Sequence, residues 1–492
     1  MGSPKGFIQR ERAETIYRPI EERIKDYKEV ELTLPEEIIT GEASRCMECG
    51  TPFCHSLGCP LGNLIPEWND LVYKNKWYEA YLRLELTNNF PEITGRLCPA
   101  LCETACTLSI NRSPVFTRQI ERAIAEKAFK EGWITPHPPI HESGKRIAIV
   151  GSGPSGLAAA QQLRRMGHRV VVFEKYPKPG GILRYGIPDF KLEKHILERR
   201  IKQLIDEGVE FETDVEAGYD VSARYLRKKF DALLIATGSR EPRDLDIPGR
   251  NLRGIHFALE FLAANNLKVS GEVPQEEAPY IFSLPSAENK KVLVIGGGDT
   301  GSDCVGTSLR QGALHITQVE ILPKPQEWNN PYNPQWPNWP KILRTSSSHR
   351  EAEAVGKLTR LWGVMVKSFE SLKTERATSD RVGRANFVRV EWKIDQNGRF
   401  YPKEIEGSTF SIEADIVLLA MGFLHVRHTT LLKDLKLNYD ARGNIETNAY
   451  YMTSTPGVFA TGDAKTGASL VVRAINHGRR AAEAINRFLY SQ

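Results

Sequence analysis

The stretch Lys145-Arg146-Ile147-Ala148-Ile149-Val150-Gly151-Ser152-Gly153-Pro154-Ser155-Gly156 decides the fold. Ile147 to Val150 form a continuous apolar run between charge and glycine, the pattern of a strand buried on both faces. The glycines then turn the chain into a helix expected from about Leu157 to Met166, followed by a second strand, Arg169–Phe173. Glu174 lies 18 residues beyond Gly156 at the end of that strand. This is the dinucleotide fingerprint in its full context. Gly151 and Gly153 permit a tight turn and close approach of a pyrophosphate. Gly156 lets helix and strand touch. Pro154 and Ser155 belong to the turn that opens the helix, whose N-terminus favours phosphate charge, and Glu174, beside Lys175, accepts hydrogen bonds from ribose hydroxyls.

The same grammar returns about 145 residues later. Lys291-Val292-Leu293-Val294-Ile295 runs into Gly296-x-Gly298-Asp299-Thr300-Gly301, a helix, and a strand near Ile316–Leu322 that carries Glu320. Two further apolar strands end in Ala236-Thr237-Gly238 and Ala420-Met421-Gly422. In a doubly wound sheet the carboxyl ends of strands meet the ligand crevice, and small residues there admit a nucleotide. The expected fold class is α/β: two Rossmann-like dinucleotide-binding domains, one inserted in the other, preceded by an α-helical domain. In that first domain helices are expected over Trp77–Leu86 and Arg118–Phe129, and Thr135-Pro136-His137-Pro138-Pro139 is a stiff linker. Residues 324–343, rich in Trp, Pro and Asn, read as an ordered surface loop, a lid or a contact surface.

Seven of the eight cysteines crowd into one region, as Cys46-x2-Cys49-x4-Cys54-x4-Cys59 and Cys98-x3-Cys102-x3-Cys106. Met1–Arg12 is polar and has no export stretch, so these cysteines read as metal ligands rather than disulfides. Cys-x2-Cys-x4-Cys wraps an iron–sulfur cluster with three thiolates from one loop. Zinc, which favours paired Cys-x2-Cys elements, is the alternative. Seven thiols are one short of two four-thiolate clusters, which leaves an oxygen or nitrogen ligand for the eighth position. Cys304 reads as a small buried apolar residue. One of the two dinucleotides must be a flavin, because a nicotinamide gives two electrons as hydride whereas a cluster takes one. The net charge of +5 comes without basic blocks, which speaks against nucleic acid. No apolar run approaches the ~20 residues of a membrane span, so a cytoplasmic protein is expected.

Four segments carry a resemblance. They are Cys46-Met47-Glu48-Cys49-Gly50-Thr51-Pro52-Phe53-Cys54-His55, Gly95-Arg96-Leu97-Cys98-Pro99-Ala100-Leu101-Cys102-Glu103, Pro179-Gly180-Gly181-Ile182-Leu183-Arg184-Tyr185-Gly186-Ile187-Pro188 and Thr461-Gly462-Asp463. Together they resemble the small (beta) subunits of glutamate synthase, over essentially the whole chain. The cysteine-rich and Tyr-Gly-Ile-Pro signatures are shared with the N-terminal half of dihydropyrimidine dehydrogenase and other electron-input subunits.

The resemblance implies FAD on the first glycine-rich site, flanked by Thr237 and Gly238. Gly181, Leu183, Tyr185, Gly186 and Ile187 would lie along the flavin, and Gly462 and Asp463 at its ribityl–pyrophosphate region. Ala468, Ser469 and Leu470 would lead a last helix whose positive end stabilises reduced flavin. It implies NADPH on the second site, with Gly422 nearby. The implied domains are a helical cluster domain (1–143), a discontinuous FAD domain (144–285 and 411–492) and a nicotinamide domain (286–410). Cys46, Cys49, Cys54 and Cys106 would hold one 4Fe–4S cluster. Cys59, Cys98 and Cys102 would hold a second, with Glu121 as its eighth-position ligand; a solvated helix residue is the other reading of Glu121. Adjacent arginines that many NADPH-using members place after the second nicotinamide-domain strand are here Ile321 and Leu322. Glu320 before them suits the free 2′-hydroxyl of NADH, whereas Lys324 or Arg344 would serve a 2′-phosphate. No side chain need act as acid or base in hydride transfer. The implied partner is the FMN-containing large subunit that makes glutamate from glutamine and 2-oxoglutarate. A ferredoxin, a hydrogenase or another oxidoreductase is the alternative.

Overall fold

A computed structural model of the protein describes residues 2–272, 285–326, 335–374 and 377–491, the side chains of 372–379 excepted. Its strands, in chain order, are β1 (Arg146–Val150), β2 (Arg169–Phe173), β3 (Glu210–Glu212), β4 (Ala232–Ile235), β5 (Ile255–Phe257), β6 (Lys291–Ile295) and β7 (His315–Glu320). They continue as β8 (Leu358–Trp362), β9 (Val364–Thr374), β10 (Ala377–Ile394), β11 (Phe400–Glu404), β12 (Phe410–Glu413), β13 (Ile416–Leu419) and β14 (Val458–Ala460). Two parallel five-stranded sheets result, ordered β14-β4-β1-β2-β3 and β5-β13-β6-β7-β8. The second repeats the first strand for strand.

Both faces of each sheet are covered, which is why the strands read as unbroken apolar runs. In β1, Ile147 and Ile149 point into one core with Leu157 and Ile475, while Ala148 and Val150 point into another with Leu226 and Leu431. In β6, Val292 and Val294 face Cys304 and Val305, while Leu293 and Ile295 face Phe369 and Phe387. Cys304 is fully buried there, as expected of a small apolar residue. The helix Pro154–Arg165 starts with a proline whose missing N–H is not needed at that position, and Gly167 at φ +91° follows its end. The last helix, Val471–Tyr490, crosses it so closely that a Cβ on Gly478 would lie 2.2 Å from the carbonyl oxygen of Ser155.

The strand pairing revises the expected domain limits. A boundary at 285 and 411 would place β5 and β13 in the FAD domain, yet both pair in the second sheet. The chain crosses between the modules nearer residues 241 and 424. There the N–H groups of Arg240 and Glu241 donate to the carbonyl of His425 (3.1 and 3.0 Å), and Leu424 donates to Glu241 (2.7 Å). A short apolar strand does not name its neighbour; that is settled when the sheet assembles. Strands β9–β12 form an antiparallel sheet beside the second parallel one.

The N-terminal domain packs helices Glu36–Ala43, Ile65–Tyr73, Trp77–Thr87 and Thr117–Lys130 around Trp68, Ile39, Ile65, Leu84 and Ile120, while the helix Pro91–Leu97 turns Ile93 into the core of the first sheet. Its contact with the first sheet's module includes a buried ion pair, Arg200–Glu92 at 2.7 Å. Among the described residues no helix is long and apolar enough to cross a membrane.

Candidate functional site: two nucleotide cradles and two cysteine cages

The first cradle is built at the carboxyl ends of β1, β2 and β4. A Cβ on Gly151 would lie 2.6 Å from the carbonyl of Ala236, and one on Gly156 would lie 2.0 Å from the carbonyl of Gly151. At Gly153 a Cβ would meet open space, and so would one at Gly238. Two glycines thus serve close packing and two leave room for a ligand, the division a dinucleotide requires. Glu174 is buried, and its Oε2 accepts from the N–H and hydroxyl of Ser152 (3.1 and 2.5 Å). Its Oε1 accepts from the N–H of Tyr176 (3.1 Å). The Ser152 hydroxyl also accepts from the N–H of Gly180 (2.9 Å), drawing the Pro179–Pro188 segment onto the glycine loop. The fingerprint leaves the Ser152 position open, so nothing in the sequence marks it.

The other expected flavin-site residues gather at the same end of the sheet or near it. Gly181 approaches Gly153 so closely that a Cβ would lie 2.7 Å from its Cα. The Tyr185 ring packs at a tilt on Tyr176 (4.6 Å), and its hydroxyl donates to the carbonyl of Lys178 (3.0 Å). Leu183 is fully buried in the core, and Lys175 is exposed with its ammonium over the Tyr176 ring. The carbonyl of Ile187, just after Gly186, accepts from Lys194 and Asn266 (2.8 and 3.0 Å). The hydroxyls of Thr237 and Ser239 are buried without a protein partner, which suits a polar ligand at the end of β4. Asp463 follows Gly462 and accepts from the Ser469 hydroxyl (2.7 Å), and burial raises its carboxyl. Ala468 and Ser469 lead into Leu470, which caps the last helix.

The second cradle repeats this plan. A Cβ on Gly296 would lie 2.3 Å from the carbonyl of Ala420, and one on Gly301 would lie 2.3 Å from the carbonyl of Gly296. Gly298 and Gly422 again face open space. The next helix starts at Asp299 and Thr300. Glu320 takes the place that Glu174 has in the first cradle: its Oε2 accepts from Gly297 N–H (2.6 Å) and its Oε1 from Leu322 N–H (3.2 Å). The extra residue of spacing is absorbed without changing that role. Lys324 lies over the Trp362 ring and Arg344 over the Trp339 ring (5.5 and 3.7 Å). Of the expected loop over 324–343, residues 327–334 lie outside the described residues. Its ends meet where Gln326 bridges Ile342, and its second half reaches a cysteine cage.

Beneath the second cradle the Gln318 amide donates to the Gly296 carbonyl (2.9 Å), and its oxygen lies 2.8 Å from His349 Nε2. Burial, aided by the charges of Arg360 and Lys191, holds His349 down to about 3. A histidine in the unfolded chain protonates near pH ~6.5. Between those values the unfolded chain binds a proton that the folded chain refuses. This contribution to stability is therefore complete above ~6.5 and is lost as pH falls toward 3. His349→Gln is expected to flatten the fall in the urea midpoint between neutral pH and pH ~5; a slope as steep as that of the unsubstituted protein would count against it.

The seven clustered cysteines line two small cavities. Cys46, Cys49, Cys54 and Cys106 share one with Phe53 and Leu108; Cys59, Cys98 and Cys102 share the other with Glu121 and Val472. All are free thiols. Among the described residues no three His, Cys, Asp or Glu side chains converge as a single ion would need, whereas a cluster takes its ligands from around a wider cage. Burial pushes Cys54 and Cys98 up to about 12, and Cys46 and Cys59 up to about 11. Thiolates so buried need a cationic centre, and this donor set suits iron–sulfur. Asn69 is fully buried beside Cys46, where its amide favours the thiolate that burial opposes. Nothing in the sequence marks it. Glu121 is buried, so the solvated reading does not hold. Its Oε1 accepts from Asn88 (2.9 Å) and Thr94, and burial raises its carboxyl to about 7.

Residues 145–478 match the pyridine nucleotide-disulphide oxidoreductase family, and residues 23–133 match dihydropyrimidine dehydrogenase domain II, 4Fe-4S cluster. The glutamate synthase [NADPH] small chain of Mycobacterium tuberculosis is 47% identical, with 99% of this chain and 96% of the relative covered. The small chain of Bacillus subtilis is 42% identical, with 99% of each covered. The chain belongs to the glutamate synthase small-chain family. As a member it is an NAD(P)H-dependent flavin oxidoreductase with FAD, nicotinamide and iron–sulfur sites. The glutamate synthase [NADH] of Schizosaccharomyces pombe is 47% identical over 98% of this chain, which spans only 22% of that relative. FprA of Mycobacterium tuberculosis shares the fold, with a TM-score of 0.54 at 20% identity over 70% of this chain and 85% of that one.

Proposed function

We propose that the protein is the electron-input subunit of a cytoplasmic glutamate synthase. NAD(P)H, FAD and two 4Fe–4S clusters would supply the conversion of hydride into single electrons for a large FMN-containing subunit, which makes glutamate from glutamine and 2-oxoglutarate. The observation that carries this reading is a shared wall. Val472 lines the cage of Cys59, Cys98, Cys102 and Glu121, and it sits in the first turn of the helix that Leu470 opens from the flavin cradle. That cage adjoins the flavin module; the cage of Cys46, Cys49, Cys54 and Cys106 lies in the N-terminal domain's own core.

The chain's residues would act by holding and orienting. Gly153 and the helix start at Pro154 would receive the flavin nucleotide's pyrophosphate, with Glu174 on its ribose; Gly298, Asp299 and Glu320 would do the same for the nicotinamide nucleotide. Glu121 would complete the second cluster through Oε2, since both of its hydrogen bonds fall on Oε1. NADPH is the nucleotide for which the bacterial relatives are named. NADH is the second reading, favoured by the Glu320 carboxylate at the edge of the loop, which would repel a 2′-phosphate.

The test is direct. The purified chain should carry FAD and about eight irons, four for each cluster. It should reduce dyes with NAD(P)H and support glutamate formation when the large subunit is added. No flavin and no dye reduction would end the redox reading. Dye reduction without glutamate would move the partner to a ferredoxin, a hydrogenase or another acceptor.

A further inference from the structure

We propose that Trp336 is a positioning residue that closes the outer side of the cage formed by Cys46, Cys49, Cys54 and Cys106. The inference rests on the reading that this cage holds a 4Fe–4S cluster. Trp336 comes from the loop that follows β7, so by chain position it belongs to the nicotinamide module. Its ring nevertheless lies on the cysteine-rich domain. The indole N–H donates to the carbonyl of Cys106 at 3.2 Å, and the ring centroid lies 4.7 Å from that of Phe53. Phe53 stands beside Cys54 and lines the cage. Cys49, Cys54 and Cys106 are only partly buried, and Leu57 in the same turn is 67% exposed, so this side of the cage lies toward the surface.

The two contacts have separate effects. The hydrogen bond fixes the peptide of a ligand residue and so the aim of its sulfur. The tilted indole, packed on Phe53, holds that ring against the cage and excludes water. Hydrogen bonding around the ligands and solvent exposure are the two protein-controlled quantities that set how firmly a cluster is held and at what potential. Trp339, three residues on, stacks on Arg344 instead and serves as an internal control.

The full-length protein, purified without air, is compared with Trp336→Ala, Trp336→Phe and Trp339→Phe. The readouts are iron release to a ferrous chelator from dithionite-reduced protein, and potentiometric titration of the cluster EPR signals. Trp336→Ala should lose about half of its iron at least about tenfold faster, the loss typical of removing a ligand's supporting contact. Only one of two EPR signals should change. Trp336→Phe keeps the ring and loses the N–H, so its iron release should stay close to that of the unsubstituted protein while the same signal titrates at a shifted potential. This variant carries the test if Trp336→Ala does not fold. Unchanged release and potential in both Trp336 variants would overturn the proposal, as would an equal effect of Trp339→Phe. An unsubstituted protein with no cluster signals would instead overturn the cluster reading beneath it.

Discussion

Gly156→Ala is expected to strip the protein of flavin and to destabilise it together. The new Cβ would stand 2.0 Å from the Gly151 carbonyl and 3.4 Å from Ala236 Cβ. The first obstacle is backbone, so no side chain can turn aside, and the helix Pro154–Arg165 must back away from β1. That helix also carries the last helix, which rests on Ser155 through Gly478. Overpacking of this kind costs about 1–3 kcal/mol. The helix N-terminus moves with it, away from where a pyrophosphate would sit. Flavin per chain, measured after acid release, should fall at least about tenfold, since a misplacement on the order of 1 Å is enough to lose a positioned interaction. Gly153→Ala separates the two effects. Its φ of −69° suits any residue, and its Cβ would enter open space. Compared as flavin-free proteins, it should melt like the unsubstituted chain and still fail to take up flavin. A flavin-replete Gly156→Ala protein would refute this account of the cradle.

Arg200→Ala is expected to cost about 3–5 kcal/mol, because it leaves a buried carboxylate without its partner. Arg200 Nε and Nη2 donate to the two oxygens of Glu92 at 2.8 and 2.7 Å, and the side chains are 4% and 0% exposed. The pair joins the helix Lys194–Asp206 of the flavin module to the helix Pro91–Leu97 of the cluster domain. Its loss should therefore loosen the cluster domain from its base, seen as an earlier denaturant transition and as faster proteolysis between the two. Replacing both partners with apolar residues, Arg200→Met with Glu92→Leu, should recover most of the loss, because no unpaired charge remains. If the double variant is no more stable than Arg200→Ala, the cost lies in packing and not in the stranded charge.

Much of this was legible in the chain itself. The helices expected over Trp77–Leu86 and Arg118–Phe129 are found as Trp77–Thr87 and Thr117–Lys130. Strand β2 spans Arg169–Phe173, as expected. Apolar periodicity and glycine punctuation are local signals, so they survive in a sequence read alone. Partnership was less legible. The limits implied by the resemblance put residues 255–257 and 416–419 in the FAD domain, yet these strands pair in the second sheet; a short strand carries no record of its neighbour. Glu320 lies 19 residues beyond Gly301, one more than separates Glu174 from Gly156, yet its carboxylate bonds the second glycine loop as Glu174 bonds the first. Ser152 and Asn69 gave no signal, since a serine in a turn and an asparagine in a helix are ordinary.

Sequence by itself determined that the chain has two nucleotide cradles and a cysteine-rich cluster domain, because each rests on residue types at fixed short spacings. The resemblance, not any spacing, assigned Cys106 and Glu121 to their cages; the tertiary structure decided how each site is closed. Cys106 reaches the cage of Cys46, Cys49 and Cys54; Glu121 turns inward from a helix toward Cys59, Cys98 and Cys102; and Trp336 arrives from another module altogether. These residues lie far apart in the chain, and the packing of separate elements, rather than any local spacing, brings them together.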